Sequence, residues 1–281
     1  MKLIECPRDA MQGLKTFIPT ETKIAYINTL LQVGFDTIDF GSFVSAKAIP
    51  QMSDTAEVLA NLDLSTTSSK LLAIIANVRG GEEAAQHRAI SYLGFPLSVS
   101  ETFQQRNTNK SIAEAMQQLA QIQEICQQQN KTLVTYISMG FGNPYNDPWN
   151  AETVIGFVEE LNKLGVKIIS LSDTIGVSDK ENITYLFGNL VPAFTHIEFG
   201  AHLHTTPATW HEKVDAAYKA GCRRFDGALR GFGGCPMAKD ELVGNMATEN
   251  LVSYFDNNGL HLNLNRQALT AALAQSNNVF S

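Results

Sequence analysis

Short apolar runs alternate with amphipathic stretches from one end of the chain to the other. The runs Lys2–Cys6, Thr37–Phe40, Leu71–Ala76, Ala89–Phe95, Thr132–Ser138, Lys167–Leu171, His196–Ala201 and Cys222–Asp226 read as buried β-strands. Between them, apolar residues recur at helical spacing over Thr20–Val33, Asp54–Asn61, Ser111–Gln129, Ala151–Leu164, Lys180–Leu190 and Thr206–Ala220. Gly34, Gly165 and Gly221 follow helical stretches directly, as C-caps do. Eight strands alternating with helices predict an α/β fold, a single (β/α)8 TIM barrel over residues 1–281 with a C-terminal helical segment from about residue 237. The structural rival is an open doubly wound sheet, but no GxGxxG or phosphate loop opens a helix here. The Gln-rich stretch Gln117–Gln129 reads as a solvated helix face.

Composition narrows the partners more than the fold. With 44% hydrophobic and 17% charged residues, the chain has ample material for a core. A formal net charge of −7 argues against a nucleic-acid partner, yet a local Arg/Lys cluster still suffices for a small anionic ligand. Cys6, Cys126, Cys222 and Cys235 are widely spaced, which fits neither a disulfide framework nor a structural zinc site. No apolar stretch is long enough to span a bilayer, and the first residues do not resemble a signal peptide. The expectation is a cytoplasmic protein with no membrane partner.

In such a barrel the chemistry gathers at the C-terminal ends of the strands. His202-Leu203-His204 ends the apolar run from Phe194 to Ala201, and residues two apart on a strand point the same way. Either each imidazole packs separately, or the pair forms half of a divalent-metal site. Barrel closure puts strands 7, 8 and 1 side by side, which makes Asp9 the natural third ligand; a turn-capping role is its alternative. Arg8 beside it is either a surface charge or a fixed cation for a developing oxyanion. Other strand ends bring Asp39, Glu101, Asp173 and Asp226. In Gly231-Phe232-Gly233-Gly234-Cys235-Pro236-Met237-Ala238, the cysteine is either incidental to a flexible turn or placed as acid, base or nucleophile. The other three cysteines read as packing residues. Lys47, Arg223 and Arg230 are candidates for phosphate contacts, with ordinary surface charge as the alternative.

Several segments, taken in order, resemble the hydroxymethylglutaryl-CoA lyase family of the metal-dependent lyase and Claisen-synthase barrels. They are Glu5-Cys6-Pro7-Arg8-Asp9 with Gln12, Ser42-Phe43-Val44-Ser45-Ala46-Lys47 with Pro50-Gln51-Met52, and Ser172-Asp173-Thr174-Ile175-Gly176-Val177. His202-Leu203-His204, the glycine-rich loop through Lys239, and Gly244-Asn245-Met246-Ala247-Thr248-Glu249 complete the set, which covers nearly the whole chain. The resemblance implies cleavage of 3-hydroxy-3-methylglutaryl-CoA to acetyl-CoA and acetoacetate with Mg²⁺ or Mn²⁺. It implies Asp9, His202, His204 and Asn245 as metal ligands and Arg8 as the cation facing the enolate. His202 or Asp39 would assist as base, Cys235 would move a proton as its loop closes, and Asp173 would support the chemistry. It also implies an acyl-CoA substrate and a homodimer.

The chain departs from the family pattern at several places. Asp39 stands where the family has Glu, Thr205 where it has Asp, and Ala10-Met11 where it has Gly-Leu. Thr206-Pro207-Ala208 differs from the family's glycine-bearing continuation, and one residue is added within Asp240–Val243. Two alternatives follow: a Claisen synthase or aldolase of the same barrel group, or a non-catalytic acyl-CoA-binding relative. The Cys235 loop speaks against the first, and retention of all the implied ligands against the second.

Overall fold

The computed structural model describes residues 1–234 and 243–280. The chain opens with β1 (Lys2–Glu5), α1 (Pro7–Gln12), α2 (Thr20–Leu31), β2 (Thr37–Ser42), α3 (Thr55–Ala60), β3 (Lys70–Ile74) and α4 (Val78–Ala85). It continues with β4 (Ile90–Ser98), α5 (Glu101–Thr108), α6 (Ile112–Gln128), β5 (Thr132–Ser138), α7 (Ala151–Lys163), β6 (Ile168–Asp173) and α8 (Lys180–Ala193). Next come β7 (Glu198–Thr205), α9 (Trp210–Lys219) and β8 (Arg224–Gly227), then β9 (Gly244–Asn245), α10 (Thr248–Asn257) and α11 (Arg266–Val279).

Strands β1 to β8 pair in parallel with their chain neighbours, and β8 returns to β1. The sheet therefore closes into the (β/α)8 barrel that the sequence predicts. Alternation gives each strand two faces. Ile38, Leu93, Ile137 and Leu171 join the main core between sheet and helices, whereas Leu72, Tyr92, Val134 and Ile168 form a separate cluster inside the barrel. Near the strand starts, Arg224 and Lys2 both pair with Glu198. Helix α10 packs on α9 and β8, and α11 packs on α2. The predicted start of the C-terminal helical segment at about residue 237 lies outside the described residues; its described helices begin at Thr248. Among the described residues, no helix is long and apolar enough to cross a membrane.

The structure departs from the pattern in strand lengths and in its helices. Strands β2, β4, β6 and β7 run two to four residues past their predicted ends, to Ser42, Ser98, Asp173 and Thr205. The backbone ladder continues there although polar side chains now interrupt the apolar run. Helices α1, α4 and α5 also lie outside the predicted helical stretches, and in α4 Gly80 and Gly81 weaken the signal. Asn77 caps α4 by accepting from Gly80 N–H. A Cβ at Gly80 would lie 2.6 Å from the Phe43 carbonyl oxygen, so the close approach of the β2–α3 loop requires glycine. The Gln-rich stretch is helical in α6, which buries only Ala115, Leu119, Ile122 and Cys126.

Candidate active site

Pro7 starts α1 immediately after β1, so Arg8 and Asp9 occupy its first turn at the C-terminal end of the barrel. His202 and His204 both face inward near the end of β7. Beyond the glycine-rich segment the chain returns as β9, antiparallel to β7, with Asn245 opposite His204 and Gly244 opposite Thr205. Cross-strand partners share a face, which brings Asn245 to the histidines. A cavity of about 440 Å³ opens here. Arg8, Asp9, Gln12, His202 and His204 form its polar wall, while Val44, Ile49, Ile74 and Phe103 form an apolar one.

Asp9 is held from three sides. Its Oδ1 accepts from Arg8 Nη1 and Gln12 Nε2, both at 2.9 Å, and its Oδ2 accepts from Asn245 Nδ2 at 2.7 Å. The same Asn245 nitrogen donates to the Phe232 carbonyl at 2.9 Å. Gly233, at φ +98°, lies so close that a Cβ would sit 2.6 Å from Asn245 Nδ2 and 2.9 Å from the Asp9 carbonyl oxygen. The glycine of this loop thus lets its backbone approach the Asn245 side chain and the Asp9 backbone. Arg8 forks onto Asp39 through Nε, at 3.0 Å to Oδ2, and Nη2. That leaves two of its five N–H groups free of these carboxylates. His202 Nδ1 donates to Asp226 Oδ2 at 3.1 Å, which leaves Nε2, once it has lost its proton, as the nitrogen available to an ion.

One ligand atom each from Asp9, His202 and His204 lies within 4.8 Å of the others. Asp9 and His204 are in the protonation states that a cation needs. Burial pushes the Asp9 carboxyl up, but Arg8 and the two imidazoles outweigh it and hold it at about 2. Burial, helped by the His202 charge, takes His204 down to about 4, so its imidazole is neutral near pH 7. Burial also disfavours a charge on His202, but the Asp226 hydrogen bond and charge prevail and raise its pKa. An ionised carboxylate with imidazole nitrogens is an O/N set suited to a divalent first-row ion or Mg²⁺. Cys6, His202 and Asp226 gather equally tightly. There burial and the surrounding carboxylates push the Cys6 thiol well above its usual range, leaving a packed thiol.

The remaining sequence candidates stand elsewhere. Asp39 is buried behind Arg8 rather than on the cavity wall; burial raises its carboxyl to about 6 against the pull of Arg8. Asp173 turns away from the cavity, bonding Ser178 and Lys213. Cys235 and the residue added before Asn245 lie outside the described residues, apart from Val243. Of the phosphate candidates, Arg223 stacks on Tyr218 just before β8, at the barrel's opposite end, and Arg230 bonds Leu273 and Ser276 on α11. Lys47 is exposed on the β2–α3 loop. The cavity instead presents Arg106, whose guanidinium lies 4.7 Å from the Tyr145 ring centre. The sequence reading gave no role to Asp226 behind His202 or to Lys213. The first was accessible from pairing, because Ala201 faces Phe225 and the next residue on each strand follows suit.

A family model described as HMGL-like matches residues 3–275. The chain is 33% identical over 266 residues to a Bacillus subtilis hydroxymethylglutaryl-CoA lyase, covering 95% of this chain and 88% of that protein. It is 31% identical over 273 residues to a Pseudomonas aeruginosa 3-hydroxy-3-isohexenylglutaryl-CoA/hydroxymethylglutaryl-CoA lyase, covering 97% and 90%. Among solved structures, an HMG-CoA lyase from Acinetobacter baumannii in complex with coenzyme A and 3-methylmalate superposes with a TM-score of 0.92. It shares 31% identity and covers all of this chain and 91% of that one.

Proposed function

The chain belongs to the HMGL-like family, and from that premise we propose that it cleaves 3-hydroxy-3-methylglutaryl-CoA to acetyl-CoA and acetoacetate. The observation that carries the reading is the convergence of Asp9, His202 and His204 beside Arg8 in one cavity. In the reaction the 3-hydroxyl loses its proton and its carbon becomes the ketone of acetoacetate. The broken carbon–carbon pair passes to acetyl-CoA as an enolate, whose carbon then takes a proton.

Asp9, His202, His204 and Asn245 would hold Mg²⁺ or Mn²⁺, which supplies a Lewis acid that acidifies the substrate hydroxyl. Arg8, fixed by Asp39 and Asp9, offers its remaining N–H groups to the enolate oxygen. Of the two base candidates, Asp39 stands off the cavity behind Arg8, and a His202 that bonds Asp226 through Nδ1 and holds the ion through Nε2 would keep no nitrogen for a proton. Returning a proton to the enolate falls to Cys235. The ligand set, these roles and the metal's identity are our reading, as are a single catalytic domain over residues 1–281, a homodimer and a cytoplasmic setting. The synthase and non-catalytic alternatives gain nothing from the named relatives, which are lyases.

The test is to incubate the protein with Mg²⁺ or Mn²⁺ and a panel of 3-hydroxyacyl-CoA thioesters and to measure acetyl-CoA. Release from 3-hydroxy-3-methylglutaryl-CoA that stops on chelation is the expected result. Release only from larger 3-alkyl homologues would reassign the substrate, and no metal binding at all would remove the lyase reading. Light scattering at monomer mass would remove the dimer.

A further inference from the structure

Lys213 on α9 is 3% exposed, and its ammonium meets oxygens from three places. They are Asp173 Oδ2 at 2.7 Å, the His204 carbonyl at 2.9 Å and the Gly176 carbonyl at 3.0 Å. An ammonium has three donors and no acceptor, so this set satisfies it fully. The β6–β7 ladder ends with Asp173 opposite Leu203. One residue further on, the His204 carbonyl takes its bond from the lysine side chain. Asp173 in turn accepts from Ser178 N–H at 3.0 Å and from the Ser178 hydroxyl at 2.5 Å, which closes the loop 174–178. Gly176 in that loop packs on Val243, since a Cβ there would lie 2.8 Å from a Val243 methyl. Val243 stands two residues before Asn245.

We propose that Lys213 is a positioning residue for the ion site, resting on the metal reading above. It binds the backbone of His204 to the loop 174–178, and that loop braces the strand carrying Asn245. Two candidate ligands from separate parts of the chain are thus aligned through one buried cation. Lys213 lies behind the residues that line the cavity, and Asp173 is its counter-ion.

Lys213→Met alone strands the Asp173 charge in the interior, so an inactive product could reflect lost folding. The decisive protein is Lys213→Met with Asp173→Asn, which removes both charges. Its thermal unfolding, Mn²⁺ affinity and hydrogen exchange are compared with those of the wild type. The expected result is a cooperatively folded protein with Mn²⁺ binding weakened about tenfold or more and faster exchange over residues 243–248. Mn²⁺ affinity within about twofold of wild type would overturn the proposal. Failure of the double variant to fold would overturn it too, because the contact would then serve the fold as a whole. If the wild type itself binds no Mn²⁺, the metal reading fails separately. Exchange then tests the bracing alone: unchanged exchange over residues 243–248 overturns it, and faster exchange supports the bracing of β9 without an ion.

Discussion

Glu5 makes stability depend on pH in a direction opposite to that of most carboxylates. It ends β1 with no exposed surface, and its carboxyl accepts from Leu229 N–H at 2.9 Å and from the Thr248 hydroxyl at 2.5 Å. Burial pushes its pKa up to about 8 from an ordinary 4.5, and the two hydrogen bonds only partly pull it back. The folded protein therefore holds a proton that the unfolded chain gives up. Its contribution to stability is fully present below pH 4.5, falls as pH rises, and is lost above about 8. At about 1.4 kcal/mol per pH unit the whole swing is bounded near 5 kcal/mol, and entry of water around the carboxylate reduces it. Glu5→Gln keeps an acceptor for Leu229 N–H but cannot titrate. Urea denaturation of both proteins at about pH 5 and about pH 9, followed by near- and far-UV circular dichroism, isolates the effect. The stability of the wild type relative to the variant should fall by a few kcal/mol between the two conditions. A flat difference would show that Glu5 is charged in the fold and refute the reasoning.

Further substitutions separate holding an ion from carrying out chemistry. Arg8→Met should lower kcat by about a hundredfold, or ~3 kcal/mol of transition-state stabilisation, with KM little changed; an effect on KM alone would make Arg8 a substrate-binding residue. His204→Ala should abolish Mn²⁺ binding while far-UV circular dichroism stays native, and unchanged affinity would remove it from the ligand set. Asp226→Asn should weaken Mn²⁺ binding about tenfold by releasing the His202 ring; wild-type affinity would mean that their hydrogen bond does not support the ion. Cys235→Ser should reduce turnover far more than metal binding, and near-normal turnover would make the thiol incidental.

How much of the site was legible depended on whether a residue acts along its own strand or across elements. The strand period was enough to put His202 and His204 on one face, and closure of the barrel was enough to add Asp9. Lys213 gave no such signal. On α9 it is one more polar residue, and only the packing of α9 against β7, with the bond to Asp173 at the end of β6, shows that it is buried. Asp173 follows from the strand period: Ser172 lines the cavity, so its neighbour on β6 faces outward, where it holds Lys213. Arg223 failed as a phosphate candidate because it precedes β8, so it sits at the end of the barrel away from the cavity.

The errors in strand length are themselves informative. An apolar pattern finds a strand only while both of its faces are buried in hydrocarbon, and it stops where the inward face meets the cavity. Strand β4 overruns its predicted end through Pro96, β6 through Ser172, and β7 through His202 and His204, and all four line the cavity. The residues that break the pattern are those the barrel holds out to a ligand, on backbone that remains part of the hydrogen-bonded ladder. This gives the histidines a rigidity that a loop would lack, since His202 is paired opposite Ser172 and His204 opposite Asn245. Thr205, the departure nearest to them, still pairs with Gly244 through the backbone. Its side chain therefore changes without changing how β9 presents Asn245, so a lost family residue at this position is compatible with an intact ion site.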